Sequence, residues 1–125
     1  LKDHKPGVKI IAAAPHPGDA VQGLRALEDG FIPPVFDESV LDGKIVVDSR
    51  SSFAMSKELT TKEGLFVGVS CGSVVRAAIK VSERLEGEQH IVCLLADGGW
   101  KYLSSNLWTT EWENQPEDID SKIWW

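Results

Sequence analysis

The chain has 125 residues, 42% hydrophobic and 26% charged, and a net charge of −6. That length gives one domain or part of one, with enough apolar residues to bury a core. The acidic balance and the lack of a basic cluster argue against nucleic acid or an anionic membrane as partner, and no apolar run is long enough to span a bilayer.

Leu1 to Pro6 is polar, and Pro6-Gly7 breaks any preceding helix. The chain starts at Leu1 and enters a strand-like segment almost at once, so it reads as the second part of something longer. Val8 to Ala14 is a continuous apolar run that suits a strand buried on both faces. Pro15-His16-Pro17-Gly18 stops it, and Asp19 to Leu27 fits a short helix capped by Asp19. Gly30 to Pro34 is extended loop, because residues before proline avoid the helical region. Lys44 to Val47 is a second strand. Asp48 and Ser49 offer caps for a helix reaching Lys62, with Gly64 as its C-terminal stop.

Leu65, Phe66, Val67 and Val69 then form an apolar stretch ahead of a small-residue turn, Ser70-Cys71-Gly72-Ser73. From Val74, apolar residues at helical spacing predict a helix ending near Glu86-Gly87, with Ser73 near its N-cap. Such a turn entering a helix can hold an anion or a polar ligand edge, and it is also what an ordinary capped helix looks like. His90 to Ala96 is expected to be another strand buried on both sides, with Cys93 a buried thiol, and Asp97-Gly98-Gly99 turns at its end. All five tryptophans fall from Trp100 onward, among acidic residues, in a segment expected to dock on something.

Buried strands alternating with helices predict an α/β fold: a three-layer, mostly parallel sheet with flanking helices. Ligands bind beyond the carboxyl ends of such strands, so the turns at Pro15–Asp19, Ser70–Ser73 and Asp97–Trp100 are expected near one. Residues 1–108 read as the α/β unit and 109–125 as an aromatic, acidic tail. The two cysteines make no metal-ligand spacing, nor do His4, His16 and His90, and a reducing cytoplasm suits the thiols. His16, at a strand end, is a minor candidate for ligand contact.

Three stretches resemble one family. Glu63-Gly64-Leu65-Phe66-Val67-Gly68-Val69-Ser70-Cys71-Gly72 is similar to its Glu-Gly-to-Ser-x-Gly pattern. Ala96-Asp97-Gly98-Gly99-Trp100-Lys101-Tyr102-Leu103-Ser104 is similar to its Pro-Asp to Tyr-Leu-Ser pattern, and Gly30-Phe31-Ile32-Pro33 to a motif that precedes both. Together they resemble cysteine synthase, in the fold type II pyridoxal-phosphate (tryptophan synthase β) family. Trp100-Lys101 and the aromatic C-terminus look like the cysteine synthase B branch.

The resemblance implies the C-terminal part of the large domain of an enzyme at least about twice as long. The family's Schiff-base lysine lies in a P-x-G-S-x-K-D-R motif, and no lysine here has that setting. The Gly-rich phosphate loop is also not seen. No catalytic residue is therefore expected in this chain, which alone would be inactive and without cofactor. The intact protein would make L-cysteine by β-replacement on O-acetylserine or O-phosphoserine with a sulfur donor, as a homo-oligomer.

Within that resemblance Ser70, Gly72, Asp97 and Gly98 are expected to line pyridoxal phosphate. Gly98 stands where many members have a Ser facing the pyridine nitrogen, and Ala96 replaces the usual Pro. Gly23 and Arg25 border the substrate. Branches taking O-phosphoserine have an Arg at this place, and a guanidinium fork suits a phosphate; the plainer reading is a solvated Arg paired with Glu28 or Asp29. Cys71, near a helix start, is a tempting nucleophile, but the family has a small hydroxyl residue there. Two other readings stay open: a stand-alone α/β module for binding or self-association, and a piece of a related lyase such as cystathionine β-synthase.

Overall fold

Residues 1–19, 21–26 and 32–111 are described in the computed structural model. Two strands, β1 (Ile11–Pro15) and β2 (Gly43–Val47), pair in parallel, in register from Ile11 with Gly43 to Pro15 with Val47. β1 begins at Ile11 rather than Val8 because the N–H of Ile10 is already taken: it donates to Asp42 Oδ2 at 2.9 Å. Lys2 and Lys9 reach the same carboxylate at 2.9 and 3.3 Å.

The Ile10 N–H, followed by the Lys2 ammonium, holds the Asp42 carboxyl well below the usual carboxylate range. A carboxyl with a depressed folded pKa adds stability above its ordinary value of about 3.9, and that stability is lost as pH falls through the folded pKa. Asp42→Asn is therefore expected to flatten the acid limb of a urea-midpoint profile and to leave its neutral-pH shape intact.

Helix α1 (Ser49–Glu63) forms where the caps were read. Asp48 accepts from Ser51 N at 2.8 Å, and Gly64, at φ 70°, closes the other end through its N–H to Leu59 O. Asp48→Ala is expected to cost about 1 kcal/mol, read as a lower urea midpoint at constant slope.

Helix α2 (Val69–Ser82) differs from expectation at both ends. Its N-cap is Gly68, with no side-chain cap, and Ser70-Cys71-Gly72-Ser73 is its first turn rather than a turn before it. These residues are poor helix formers in isolation, and packing overrides that preference. α2 ends at Ser82, ahead of the expected Glu86-Gly87, where Gly87 turns the chain at φ 71°.

The packing in question is an antiparallel crossing of α1 and α2. Ser73 Oγ donates to Ser52 Oγ at 2.6 Å, and Ser52 Oγ donates to Asp48 O at 2.8 Å. One turn further along α1, Ser56 Oγ shares its proton among Ser52 O, Gly68 O and Val69 O, at 3.1, 3.1 and 3.3 Å. Ser52, Ser56 and Ser73 are fully buried, and these bonds offset the cost of hiding their hydroxyls. Gly72 faces Ser52 and Ser56, and any Cβ there would overlap the Ser52 carbonyl. Apolar clusters flank the crossing: Val21, Phe53, Val69 and Leu107 on one side, and Met55, Leu59, Val67 and Cys71 on the other. α2 also packs on both strands, giving an α/β layering with a parallel sheet.

Three expectations fail or fall outside. The expected helix from Asp19 is not present at residues 19 and 21–26; Asp19 instead accepts from Ser49 N at 3.1 Å, and Gly23 turns at φ 86°. His90–Ala96 is not a strand: it has no ladder partner among the described residues, and Val92 and Leu94 are exposed. Cys93 is accordingly half-buried, with burial pushing its thiol up. Leu27 to Phe31 and the tail from residue 112, with Trp112, Trp124 and Trp125, lie outside the described residues. Among those residues no helix is long and apolar enough to cross a membrane.

Candidate functional site

The start of α2 is where the separated motifs meet. Val67 and Gly98 form an antiparallel bridge, with Gly68 N donating to Asp97 O at 3.1 Å and Gly99 N to Phe66 O at 3.1 Å. This pins the Asp97-Gly98-Gly99 turn onto the helix entry. A 3-10 helix, Gly99–Ser105, follows and ends at Asn106, φ 55°. It sends Tyr102 back over the turn, so that its OH donates to Asp97 Oδ2 at 2.7 Å. Lys101 Nζ lies 3.6 Å from the same oxygen but is half exposed, which makes it a weak partner.

Burial, and then the hydrogen bond to Asp97, push the Tyr102 hydroxyl up to about 12. The Asp97 carboxylate rests on Gly68, where a side chain would overlap it. The positive end of α2 thus already faces a carboxylate of this protein. An anionic ligand group placed there meets like charge, against the expectation that this helix start holds an anion.

Ser70 is the second residue of α2, 5% exposed. Gly23 comes up against it: a Cβ on Gly23 would lie 3.1 Å from Ser70 Oγ. The positive φ at Gly23 and the lack of a side chain there let the 21–26 loop reach the helix start. Ser70, Gly23, Asp97 and Gly98 therefore gather around one helix start. Gly72 looks the other way, into the α1 crossing. Arg25 is exposed, two residues along the loop from Gly23. His16 is exposed at the end of β1, its Nδ1 3.0 Å from Pro17 O. The turn at Pro15–Asp19 is docked on the start of α1 through Asp19.

Cys71 is fully buried, its Sγ 3.6 Å from Asp97 O, and has no access for a substrate. Among the described residues no group of His, Cys, Asp and Glu could hold a metal. Sequence reasoning passed over Gly68 and Tyr102. Their signal was present, since both lie inside the quoted motifs, but nothing in the spacing said that a tyrosine five residues on would return to the aspartate.

At Gly98 a Cβ would overlap the Trp100 ring, and at Gly99 one would crowd Phe66 and Trp108, whose rings lie 5.0 Å apart. These glycines keep the turn thin, and Ser70 supplies a hydroxyl beside Gly23.

No family model matches the chain. It is similar to a cysteine synthase of Aquifex aeolicus, 34% identical over 113 residues, 87% of this chain and 35% of that protein. Cysteine synthase B of Pseudomonas aeruginosa is 32% identical over 108 residues, 86% of this chain and 36% of that protein. Among solved structures, an O-acetylserine sulfhydrylase of Entamoeba histolytica superposes with TM-score 0.79 at 26% identity, over 98% of this chain and 39% of the other. An O-acetylserine-dependent cystathionine β-synthase of Helicobacter pylori gives 0.76 at 27%, over 86% and 37%. The chain thus spans a little over a third of the length of the relatives it matches.

Proposed function

We propose that this chain, similar in sequence and fold to the cysteine synthases of the fold type II pyridoxal-phosphate family, is the C-terminal part of an enzyme that makes L-cysteine by β-replacement. The observation that carries the reading is the meeting of Ser70 and Gly23 with the Asp97-Gly98 turn at one helix start, in a chain similar to cysteine synthases over 86% or more of its length. When bound, pyridoxal phosphate supplies the electron sink that lets a β-substituent leave an amino acid and a sulfur nucleophile replace it.

The residues here position and enclose. Ser70 would offer its hydroxyl to a polar edge of the cofactor ring, and Gly98 lets the Trp100 ring close against the turn beside it. Asp97, fixed by Tyr102, keeps the turn in place and presents a negative charge where the cofactor phosphate must not sit. Gly23 holds its loop close enough for Arg25 to meet the substrate's leaving group. Gly72 acts through the helix crossing that sets Ser70. The lysine and the phosphate loop come from other parts of the intact protein, so the 125-residue chain alone is inactive. The intact protein works as a homo-oligomer in the cytoplasm.

The Arg25 guanidinium suits an O-phosphoserine leaving group. In the product of the whole reading frame, Arg25→Ala is expected to lower kcat/KM for O-phosphoserine about 10-fold or more, as loss of a charged contact should. For O-acetylserine the change should be within about 3-fold. An unchanged efficiency with O-phosphoserine rules this assignment out.

The Helicobacter relative's name favours a second reading, in which the acceptor is a larger thiol than sulfide. Product analysis with sulfide and with homocysteine as competing acceptors separates the two.

A further inference from the structure

The Asp97-Gly98-Gly99 turn is walled on three sides. On the Asp97 side the carboxylate is seated on Gly68 and held by the Tyr102 hydroxyl. On the Gly99 side stand Phe66 and Trp108, their ring centroids 5.0 Å apart. On the Gly98 side lies Trp100. A Cβ on Gly98 would overlap Cζ3, Cε3 and Cη2 of that indole, above the ring face rather than beyond its edge. The six-membered ring is therefore laid flat on the Gly98 backbone. Trp100 is nevertheless 64% exposed, against 40% for Phe66 and partial burial for Tyr102 and Trp108. One face of the indole covers the glycine, and the other stands open at the turn.

We propose that the open face of Trp100 is a binding surface of this site, stacked on the flat, electron-poor heteroaromatic ring of a ligand. Indole carries a negative π face, which favours such a ring in an offset stack. The Asp97 carboxylate nearby repels anionic groups, so this wall takes the ring rather than an anionic substituent of it. Gly98 is what lets the indole lie in place, since any side chain there takes the same space. The inference rests on the reading of the chain as part of a pyridoxal-phosphate enzyme, in which that ring is the cofactor's pyridine.

The test is the dissociation constant for pyridoxal phosphate, titrated into the cofactor-free product of the whole reading frame. Trp100→Ala is expected to raise it about 10-fold, and Trp100→Phe, which keeps a flat ring, by less than about 3-fold. Gly98→Ala should weaken binding about as much as Trp100→Ala, because its methyl group pushes the indole off the turn. Trp100 is the exposed end of a flexible side chain, so the ring gives way and the backbone stays. The double variant Gly98→Ala, Trp100→Ala should bind no more weakly than Trp100→Ala alone, as the methyl then has no ring to displace. Urea midpoints are expected to stay near that of the unchanged protein, which separates lost stacking from lost fold. Trp100→Ala with unchanged or tighter affinity overturns the proposal, and so do penalties that add in the double variant. Variants that bind like the unchanged protein, while that protein makes cysteine, sink the stacking and leave the enzyme reading intact. An unchanged whole product that takes up no pyridoxal phosphate contradicts the enzyme reading and this assignment with it.

Discussion

Gly72→Ala is expected to cost about 3 kcal/mol or more, a large share of the stability of a domain this size. Two effects oppose each other at this position. In an ordinary helix interior, alanine is better than glycine by about 1 kcal/mol. At Gly72 the added Cβ would overlap the Ser52 carbonyl and the Ser56 hydroxyl, and would come within 2.8 Å of Ser56 N. Two of those three neighbours are backbone atoms of α1, so no rotamer change relieves the clash. The helices must separate, and the hydroxyl chain through Ser73, Ser52 and Asp48 opens with them. The steric cost exceeds the propensity gain. Urea unfolding followed by circular dichroism reads the midpoint; a midpoint equal to or above that of the unchanged protein contradicts the crossing described here.

Gly68→Ala is expected to damage the site as well as the fold. Its Cβ would overlap Asp97 Oδ1 and lie 2.8 Å from the Tyr102 ring at Cε2. The carboxylate has to move, and Tyr102 loses its acceptor. We expect a loss of about 2 kcal/mol from overpacking and the broken hydrogen bond. The sharper readout is the hydroxyl of Tyr102, which is the single tyrosine of the chain. Its pKa should fall from about 12 toward the ordinary value of about 10, as read by ultraviolet titration of the phenolate. A group with a raised folded pKa adds stability below its unfolded value and loses it as pH rises through the folded one. The intact protein should therefore lose stability between about pH 10 and 12, and Tyr102→Phe should lack that limb. A Gly68→Ala protein whose tyrosine titrates as it does in the unchanged protein contradicts the seating of Asp97.

Local signals carried α1 from sequence to structure: the Asp48 carboxylate caps one end and the left-handed backbone of Gly64 the other, and both act within a turn of the helix. The parallel pairing of two apolar runs was also legible, although Asp42 shifted the start of β1 by taking the Ile10 N–H. The first turn of α2 was not. Ser70, Cys71, Gly72 and Ser73 look like a turn because small and polar residues favour one; their helical state comes from a crossing with Ser52 and Ser56, roughly 20 residues away. The 90–96 run read as a buried strand because its side chains are apolar, and apolarity reports what a segment needs rather than what lies beside it. The pattern singled out Asp97 and Gly98, and the structure brings them to the start of α2. The return of Tyr102 onto Asp97 was invisible, since it depends on a 3-10 helix whose start has no side-chain cap to mark it in the sequence.

The most direct measurement compares two purified proteins, the product of the whole reading frame and the 125-residue chain. Each is given pyridoxal phosphate, sulfide, and either O-acetylserine or O-phosphoserine, and cysteine is quantified. The account predicts cysteine from the whole product with at least one of the two substrates, and none above the uncatalysed background from the 125-residue chain. A whole product that binds the cofactor and forms no cysteine, or a 125-residue chain that turns over by itself, contradicts it.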